Sequence, residues 1–239
     1  MAYKAVCFDI DGTLYPIRTM NSRLLKLSVK HPFFGLKYSR NRKEFRRWQA
    51  SFTQEVPFRW REAMIVQNGT GEERPFDKTT YQKTYDKLEK LVYRPMERLY
   101  KTTKTFDGVR ETFKKIKNNG LKIGVFTDFP LFDKLEGMRL ADLVDFAASS
   151  DDIGYLKPDT HCLEYLLYNL KMGPKDVLYV GDSYNKDILG AKAVGMDAVL
   201  VNVKASASKD LAKEYPLAKA AFRTWNEFDT WLSATMEDR

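Results

Sequence analysis

The sequence has little histidine and little cysteine. Two histidines, His31 and His161, and two cysteines, Cys7 and Cys162, occur among its 239 residues. A zinc site or a histidine-based catalytic triad needs such residues brought together, so this sequence supports neither. The cysteines lie far apart within apolar segments, and we therefore expect buried free thiols in a reducing compartment rather than a disulfide.

Long apolar runs are also missing. No run approaches the roughly 18 residues that span a bilayer, and no basic and then apolar leader precedes the first apolar segment. These absences predict a cytoplasmic protein without membrane segments. With 239 residues, of which 44% are hydrophobic, the chain can still bury a sizeable core.

Positive charge is concentrated in one segment. Residues 15–105 contain 21 of the 40 Lys and Arg residues but 9 of the 32 Asp and Glu residues, so this segment carries +12 and the remainder −4. A solvated basic face that keeps the protein soluble would explain the bias. That is the commoner explanation of such a bias, and the more specific alternative is a surface that attracts a phosphorylated substrate, a nucleic acid or a membrane.

Short apolar runs alternate with helical patterns outside that segment. The runs, rich in Val, Ile and Leu, cover residues 3–9, 121–127, 177–181 and 198–203. Such runs are typical of buried parallel strands, and the patterns between them place apolar residues on one helical face. The alternation predicts an α/β fold, an open sheet with helices on both faces and ligands at the carboxyl ends of the strands.

Residues 18–104 interrupt this alternation, because they lack a convincing strand and are dense in Arg, Lys and aromatic residues. Helical spacing places aromatic and aliphatic side chains on two faces: Phe45, Trp48 and Phe52 on one, and Tyr81, Tyr85, Leu88 and Val92 on the other. The second pattern ends near Pro95. We interpret both faces as packing between helices rather than as a base-stacking surface, so nucleic acid is not an expected partner.

The stretch CFDIDGTLYP, residues 7–16, ends the first predicted strand with two aspartates. Side chains alternate along a strand, so Asp9 and Asp11 leave it toward the same side. Gly12 permits a sharp turn there. The two carboxylates repel each other unless a proton or a cation intervenes, and Mg²⁺ with oxygen ligands is the ordinary choice.

A second strand end is similarly acidic. The segment VLYVGDSYNKD ends a strand at Gly181 and supplies Asp182 and Asp187. Helix capping by Asp182 or Ser183 would explain these residues without chemistry. The acid-rich end of the first strand makes that explanation weaker, and we group the two strand ends as one candidate metal site.

Two further strand ends add a hydroxyl and a lysine. The run IGVFTD ends in Thr127 and Asp128, and GYLKPD places Lys157 before Pro158, which disfavours helix at the lysine. Thr127 alone is more often a cap, and a loop lysine usually decorates the surface. Beside carboxylates and phosphate, however, Lys157 would act as a charge clamp.

Together these segments resemble the four motifs of the haloacid dehalogenase superfamily of phosphohydrolases. They are FDIDGTLYP, VFTD, GYLKPD and VGDSYNKDILGAKAVGM, which occur in the family's order between Tyr3 and about Gly195. The first and fourth are highly specific in combination. The resemblance implies a three-layer Rossmann-like core formed by residues 1–17 and 105–239, with residues 18–104 as an inserted α-helical cap domain.

The resemblance also implies roles for individual residues. Asp9 would be the nucleophile that forms an aspartyl-phosphate, and Asp11 the acid and base. Thr127 would bind the phosphoryl group, and Lys157 would balance its charge. The metal set is Asp9, Asp11 through its backbone carbonyl, Asp182, and Asp187 in a supporting position; the cofactor is Mg²⁺.

An acid at position 11 favours phosphate esters over the haloacids of true dehalogenases, which lack it. The expected function is therefore hydrolysis of a small phosphorylated metabolite by a Mg²⁺-dependent phosphatase. A phosphotransferase such as a sugar-phosphate mutase, and a binding module that has kept the fold, remain alternatives. Asp128 stands where the family often has Asn, which suggests a contact with a loop or cap residue. Substrate and oligomeric state stay open.

Overall fold

A computed structural model of the chain describes residues 3–18, 21–22, 29, 32–69, 73–131, 133–204, 206 and 209–237. Its six strands form one sheet in the order β3-β2-β1-β4-β5-β6, with every pairing parallel. They are β1 (Ala5–Phe8), β2 (Lys122–Thr127), β3 (Phe146–Ser149), β4 (Val177–Gly181), β5 (Asp197–Leu200) and β6 (Ala220–Ala221). The predicted α/β class and its parallel sheet are confirmed.

Helices cover both faces of the sheet because the side chains of its central strand alternate. Val6 and Phe8 of β1 belong to the hydrophobic cluster on one face, where the ring of Phe8 stacks on Phe113 with centroids 4.7 Å apart. Ala5 and Cys7 belong to the cluster on the other face. Both cysteines are buried free thiols, as predicted.

The functional edge of the sheet follows from the pairing of its strands. The last residue of β1, Phe8, pairs with Val125 of β2 and with Val180 of β4. Because these strands are parallel, the residues that follow each of them emerge at the same edge. This register brings three of the four predicted motifs together.

The described residues between β1 and β2 form helices and no strand. Among them are α1 (Pro32–Trp48), α2 (Phe58–Asn68), α3 (Lys78–Leu88) and α4 (Arg94–Tyr100), and we call these four the helical insertion. The remaining helices are α5 (Val109–Asn118), α6 (Lys134–Gly137), α7 (Ser150–Ile153), α8 (Thr160–Leu170), α9 (Leu189–Ala193), α10 (Leu211–Glu214) and α11 (Trp225–Glu237). The insertion shares a hydrophobic cluster with β1, to which it contributes Tyr38, Tyr93 and Tyr100. The boundaries at residues 17/18 and 104/105 stay a prediction.

The helical run predicted to end near Pro95 continues to Tyr100. A π-helical turn over Glu89–Tyr93 joins α3 to α4, and the backbone N–H of Arg94 bonds to the carbonyl of Glu89. Pro95 falls in the first turn of α4, directly after this π-helical turn. The predicted end was wrong for this reason.

The aromatic face predicted around α1 is formed in part. Phe45 is fully buried, and its ring lies 5.3 Å from that of Phe52 and 5.1 Å from that of Phe58. Trp48 is 38% exposed instead. The helix ends at Trp48, so the 3₁₀ turn Gln49–Ser51 brings Phe52 back to Phe45 and leaves the tryptophan outside.

Candidate active site

Asp9 is buried directly after β1, in the middle of the sheet edge. Its backbone N–H donates to the carbonyl of Val180 at 2.9 Å, which continues the pairing with β4. The hydroxyl of Thr13 donates to Asp9 Oδ2 at 3.0 Å. Thr13, in the same loop, thus holds Oδ2 of the Asp9 carboxylate, while Oδ1 faces the loop before α8.

That other oxygen receives the ammonium of Lys157. Lys157 Nζ lies 2.7 Å from Asp9 Oδ1, 2.6 Å from Asp187 Oδ1 and 3.2 Å from the hydroxyl of Tyr179, to which it donates. Its side chain is 2% exposed. Burial disfavours the ammonium, but Asp187 and Asp9 more than offset burial and hold the pKa of Lys157 above its ordinary value.

Asp9, Asp182 and Asp187 form a cluster of three carboxylates whose nearest oxygens all lie within 4.8 Å of one another. Burial, together with repulsion from its acidic neighbours, raises the pKa of Asp9 to about 6 even though Lys157 opposes the shift. Burial and the charges of Asp9 and Asp187 raise the pKa of Asp182 to about 8. Asp9 and Asp182 therefore resist simultaneous ionisation, which is the situation a divalent cation relieves.

Gly12 is required where the cluster meets the turn after β1. Its φ of +102° lies in a region that L side chains rarely adopt. A Cβ built there would lie 2.1 Å from Asp182 Oδ2, so the carboxylate packs directly against the glycine backbone. The oxygen ligands and this close cradle fit a small, hard cation such as Mg²⁺.

Asp187 lies near the end of the segment between β4 and α9. Its Oδ2 accepts from the backbone N–H of Ser183 at 3.0 Å while its Oδ1 binds Lys157. Asp187 is therefore the second carboxylate of the cluster, besides Asp9, that binds Lys157.

Asp11 occupies a separate polar pocket. Its Oδ1 accepts from the hydroxyl of Tyr15 at 2.5 Å, and its Oδ2 accepts from the hydroxyl of Thr127 at 2.6 Å. Lys134 Nζ lies 2.9 Å from Oδ2. Burial raises the pKa of Asp11, but Lys134 and the hydroxyl donors outweigh burial and bring it below its ordinary value.

Lys134 is the residue of this pocket that the sequence reasoning missed. It is fully buried in α6, lies 3.3 Å from the Thr127 hydroxyl, and sits 4.2 Å from the centroid of the Tyr100 ring. In the sequence it is one of many lysines, in a segment without a recognisable motif. Its position within ten residues of Thr127 was the one feature of the sequence that could have connected Lys134 with the site.

Thr127 ends β2 beside the pocket of Asp11. It is fully buried, and its hydroxyl donates to Asp11 in this structure. The structure thus places all six predicted residues at one edge of the sheet, with Asp9, Lys157, Asp182 and Asp187 in one group and Asp11 and Thr127 in another. Lys157 neutralises the charge of Asp9, and Lys134 neutralises the charge of Asp11.

Asp128 contacts both the insertion and the loop before α8. Arg46 of α1 donates to Asp128 Oδ2 at 2.5 Å, and the backbone N–H of Lys157 donates to Oδ1 at 3.0 Å. Arg42, one turn earlier, donates to the backbone carbonyl of Asp128 at 2.9 Å. The acid at this position is thus explained by its arginine partners.

His161 is on the exposed side of α8, where it bonds to Asp159 and stacks on Tyr155. His31 lies outside the described residues. Among the helices that the structure describes, none combines the length and apolarity needed to cross a membrane.

The sequence matches the haloacid dehalogenase-like hydrolase family over residues 3–195, a span that contains every residue of the two pockets. The chain belongs to this family. It is therefore a hydrolase of the haloacid dehalogenase-like type, as the motif order predicted.

Two curated relatives illustrate the similarity. The chain is 35% identical over 113 residues to haloacid dehalogenase-like hydrolase domain-containing protein 3 of Bos taurus, covering 44% of this chain and 45% of that protein. It thus spans less than half of the bovine relative. It is 28% identical over 215 residues to the glyceraldehyde 3-phosphate phosphatase of Methanothermobacter thermautotrophicus, covering 83% of this chain and 85% of that protein.

Solved structures agree with the fold. The crystal structure of a HAD phosphatase from Thermococcus onnurineus matches with a TM-score of 0.58 at 25% identity, covering 96% of this chain and 97% of that one. The similarity extends over the helical insertion as well as the sheet.

Proposed function

We propose that this hydrolase is a Mg²⁺-dependent phosphatase that cleaves a phosphate monoester of a small metabolite through an aspartyl-phosphate on Asp9. The observation that carries the proposal is the group of buried charges in which Lys157 bridges Asp9 and Asp187 beside Asp182. Family membership and relatives that are named phosphatases support it.

Asp9 is suited to attack phosphorus. In the first step a carboxylate oxygen of Asp9 forms a bond to phosphorus as the bond to the ester oxygen breaks, and Asp11, which has first taken up a proton from solvent, passes that proton to the leaving oxygen. In the second step water attacks the aspartyl-phosphate. Asp11 accepts the proton of that water, so Asp9 is regenerated and inorganic phosphate leaves.

Lys157 and Thr127 would hold the phosphoryl group during both steps. The ammonium of Lys157 already touches Asp9, where negative charge gathers as the phosphoryl group arrives. The hydroxyl of Thr127 lies at the end of the neighbouring strand and can turn from Asp11 to a phosphoryl oxygen. Fixed donors of this kind align the reacting groups and lower the barrier.

The metal would be held by the carboxylates of Asp9 and Asp182 and by the backbone carbonyl of Asp11, with Asp187 orienting Lys157. When bound, Mg²⁺ neutralises the charge of the carboxylates and of the phosphoryl group. Because these carboxylates are buried, neutralisation of their charge is more strongly favourable than it would be at the surface.

The substrate we propose is a small phosphorylated metabolite, in keeping with the relative named for glyceraldehyde 3-phosphate. We further propose that residues 18–104 act as a cap over a core formed by residues 1–17 and 105–239. The contacts of Arg42 and Arg46 with the loop after β2 support a cap that rests on the active site. No nucleic acid or membrane partner is part of the proposal.

The test is release of inorganic phosphate from a panel of phosphorylated metabolites, with Mg²⁺ and with EDTA. Asp9→Asn should abolish turnover while thermal unfolding stays unchanged, because the amide is nearly isosteric but a poor nucleophile. Asp86→Asn, on the exposed side of α3, is the matched control and should remain active. A protein digested after acid quench should carry the phosphoryl group on the peptide that contains Asp9.

Other outcomes would replace the proposal. Transfer of the phosphoryl group between sugar positions without release of phosphate would identify a phosphotransferase. Full activity of Asp9→Asn would exclude Asp9 as the nucleophile. A folded protein that turns over none of the panel and binds RNA with a steep dependence on salt would be a binding module.

A further inference from the structure

A cavity of about 560 Å³ adjoins the candidate active site. Gly12 and Asp182, which meet at the edge of the carboxylate cluster, form part of its wall. Its volume is within the range of pockets that bind metabolites and is far more than a phosphoryl group needs. The cavity therefore has room for the part of a substrate that lies beyond the reacting phosphate.

Three cationic side chains from separate segments line this cavity: Arg18 after the turn that follows β1, Lys204 after β5, and Arg223 after β6. Asp182 is the only acidic residue among its described lining residues. Arg18 and Lys204 form no ion pair with any residue that the structure describes. The described lining of the cavity therefore carries more positive than negative charge.

The cationic wall is built into the fold. Arg223 Nη2 donates to the backbone carbonyls of Ser206 at 3.0 Å and Lys209 at 2.7 Å, which fixes the guanidinium against the loop that carries Lys204. Asn202 Nδ2 donates to the carbonyls of Gly12 at 2.9 Å and Thr13 at 3.0 Å. The loop after β5 is thus joined directly to the turn that holds Asp9 and Asp11.

The remaining wall is largely apolar. Trp225, Leu200, Ile17 and Phe106 line it, and Trp225 is almost fully buried against the core. An apolar wall beside a few cationic groups is the usual composition of a site for a carbon skeleton with charged ends.

We propose that this cavity binds the distal part of the substrate and that Arg18, Lys204 and Arg223 bind a second anionic group, a phosphate or a carboxylate, several bonds from the phosphate that is removed. This inference rests on the proposed phosphatase function and deepens it. Specificity would then reside in the core and in the turn before the insertion, not in the insertion alone. Charged hydrogen bonds from Arg and Lys are suited to this role because phosphate and carboxylate oxygens accept them strongly.

The experiment compares substrates that differ in one anionic group. The pairs are fructose 6-phosphate with fructose 1,6-bisphosphate, and glycerol 3-phosphate with 3-phosphoglycerate. The first pair tests a second phosphate and the second a carboxylate, while p-nitrophenyl phosphate reports the chemistry without a second anion. Each is measured with the native protein, with the double variant Arg18→Ala, Lys204→Ala, and with Lys175→Ala. Lys175 is an exposed lysine just before β4, at the opposite end of that strand.

We expect the native protein to prefer the member with the second anionic group in at least one pair, by about tenfold or more in kcat/KM. The double variant should lose that preference through a higher KM, with turnover of p-nitrophenyl phosphate within about twofold of native. Lys175→Ala should behave as the native protein does.

Three results would overturn the inference alone. In the first, the native protein hydrolyses p-nitrophenyl phosphate but shows no preference in either pair of substrates. In the second, the double variant keeps the preference of the native protein. An equal loss of activity toward all substrates in the double variant would also overturn it, because that loss would be structural. If the native protein hydrolyses none of the compounds, the proposed function itself fails and the inference falls with it.

Discussion

Arg46 of the helical insertion and Asp128 of the catalytic edge form an ion pair with a separation of 2.5 Å. Between them they hold both backbone polar atoms of Lys157. Asp128 accepts from the Lys157 N–H at 3.0 Å, and Arg46 Nε donates to the Lys157 carbonyl at 2.9 Å. The lysine that bridges Asp9 and Asp187 is thus positioned by a residue from another part of the chain.

The first prediction concerns the energy of this pair. Asp128→Ala removes a buried carboxylate and leaves Arg46 without its partner, so we expect the free energy of unfolding to fall by about 3 kcal/mol. Arg46→Ala should cost a comparable amount, because it leaves the carboxylate of Asp128, whose side chain is 7% exposed, without this partner. The double variant should lose clearly less than the sum of the two single losses, as measured by urea denaturation. Additive losses would show that the two residues act independently.

The second prediction concerns pH. Burial opposes ionisation of Asp128, but Arg46 and Lys157 more than offset burial and hold its pKa below the ordinary value. A carboxyl group with a lowered folded-state pKa stabilises the fold above the unfolded value, near pH 4, and loses that contribution as pH falls toward the folded value. We therefore expect the stability difference between the native protein and Asp128→Asn to be constant above about pH 5 and to shrink below pH 4. A difference that grows on acidification would contradict this sign.

The sheet and its edge could be predicted from the sequence because their signals are local. Strands β1, β2, β4 and β5 are apolar runs, and the residues that follow β1, β2 and β4 carry three of the four motifs. Strand β3 was missed, since Phe146–Ser149 is short and is followed by Asp151 and Asp152.

The contacts of Lys134 and Arg46 could not be predicted, because they join segments that are distant in sequence. Lys134 meets Asp11 across 123 positions, and Arg46 meets Asp128 across 82. Nothing near either basic residue distinguishes it from the other 38 Lys and Arg residues of the chain. Burial distinguishes them, and burial of a charged side chain depends on the tertiary fold.

The third prediction tests the cradle at Gly12. In Gly12→Ala the new Cβ would lie 2.1 Å from Asp182 Oδ2, so the carboxylate has to move out of the cluster. We expect the affinity for Mg²⁺ to fall by about 10-fold to 100-fold, measured by calorimetry and by the Mg²⁺ dependence of phosphate release.

Gly120→Ala is the control for this substitution, because Gly120 also has a positive φ, +74°, yet no atom lies within 4 Å of the point that its new Cβ would occupy. It should lose about 1 kcal/mol of stability from backbone strain and keep its Mg²⁺ affinity. Equal effects of the two substitutions on Mg²⁺ affinity would show that the contact with Asp182 is unimportant.

The fourth prediction concerns Lys134 and the leaving group. Lys134 and the hydroxyls of Tyr15 and Thr127 fix the carboxylate of Asp11, which the proposed mechanism uses to protonate the leaving oxygen. An alkoxide needs that proton, whereas p-nitrophenolate leaves readily without it. Lys134→Met keeps much of the side-chain volume but removes the charge, so Asp11 loses a partner that orients it.

We expect Lys134→Met to lower kcat for alkyl phosphates by about 100-fold, and for p-nitrophenyl phosphate by less than about tenfold. Lys134→Arg, which retains a cation, should recover part of the alkyl phosphatase activity. Thermal unfolding of each variant separates catalysis from stability, because a purely structural lysine would affect both substrate classes alike. Equal losses for the two classes, in a variant that remains folded, would therefore assign Lys134 to the packing of α6 against the sheet and not to the positioning of Asp11.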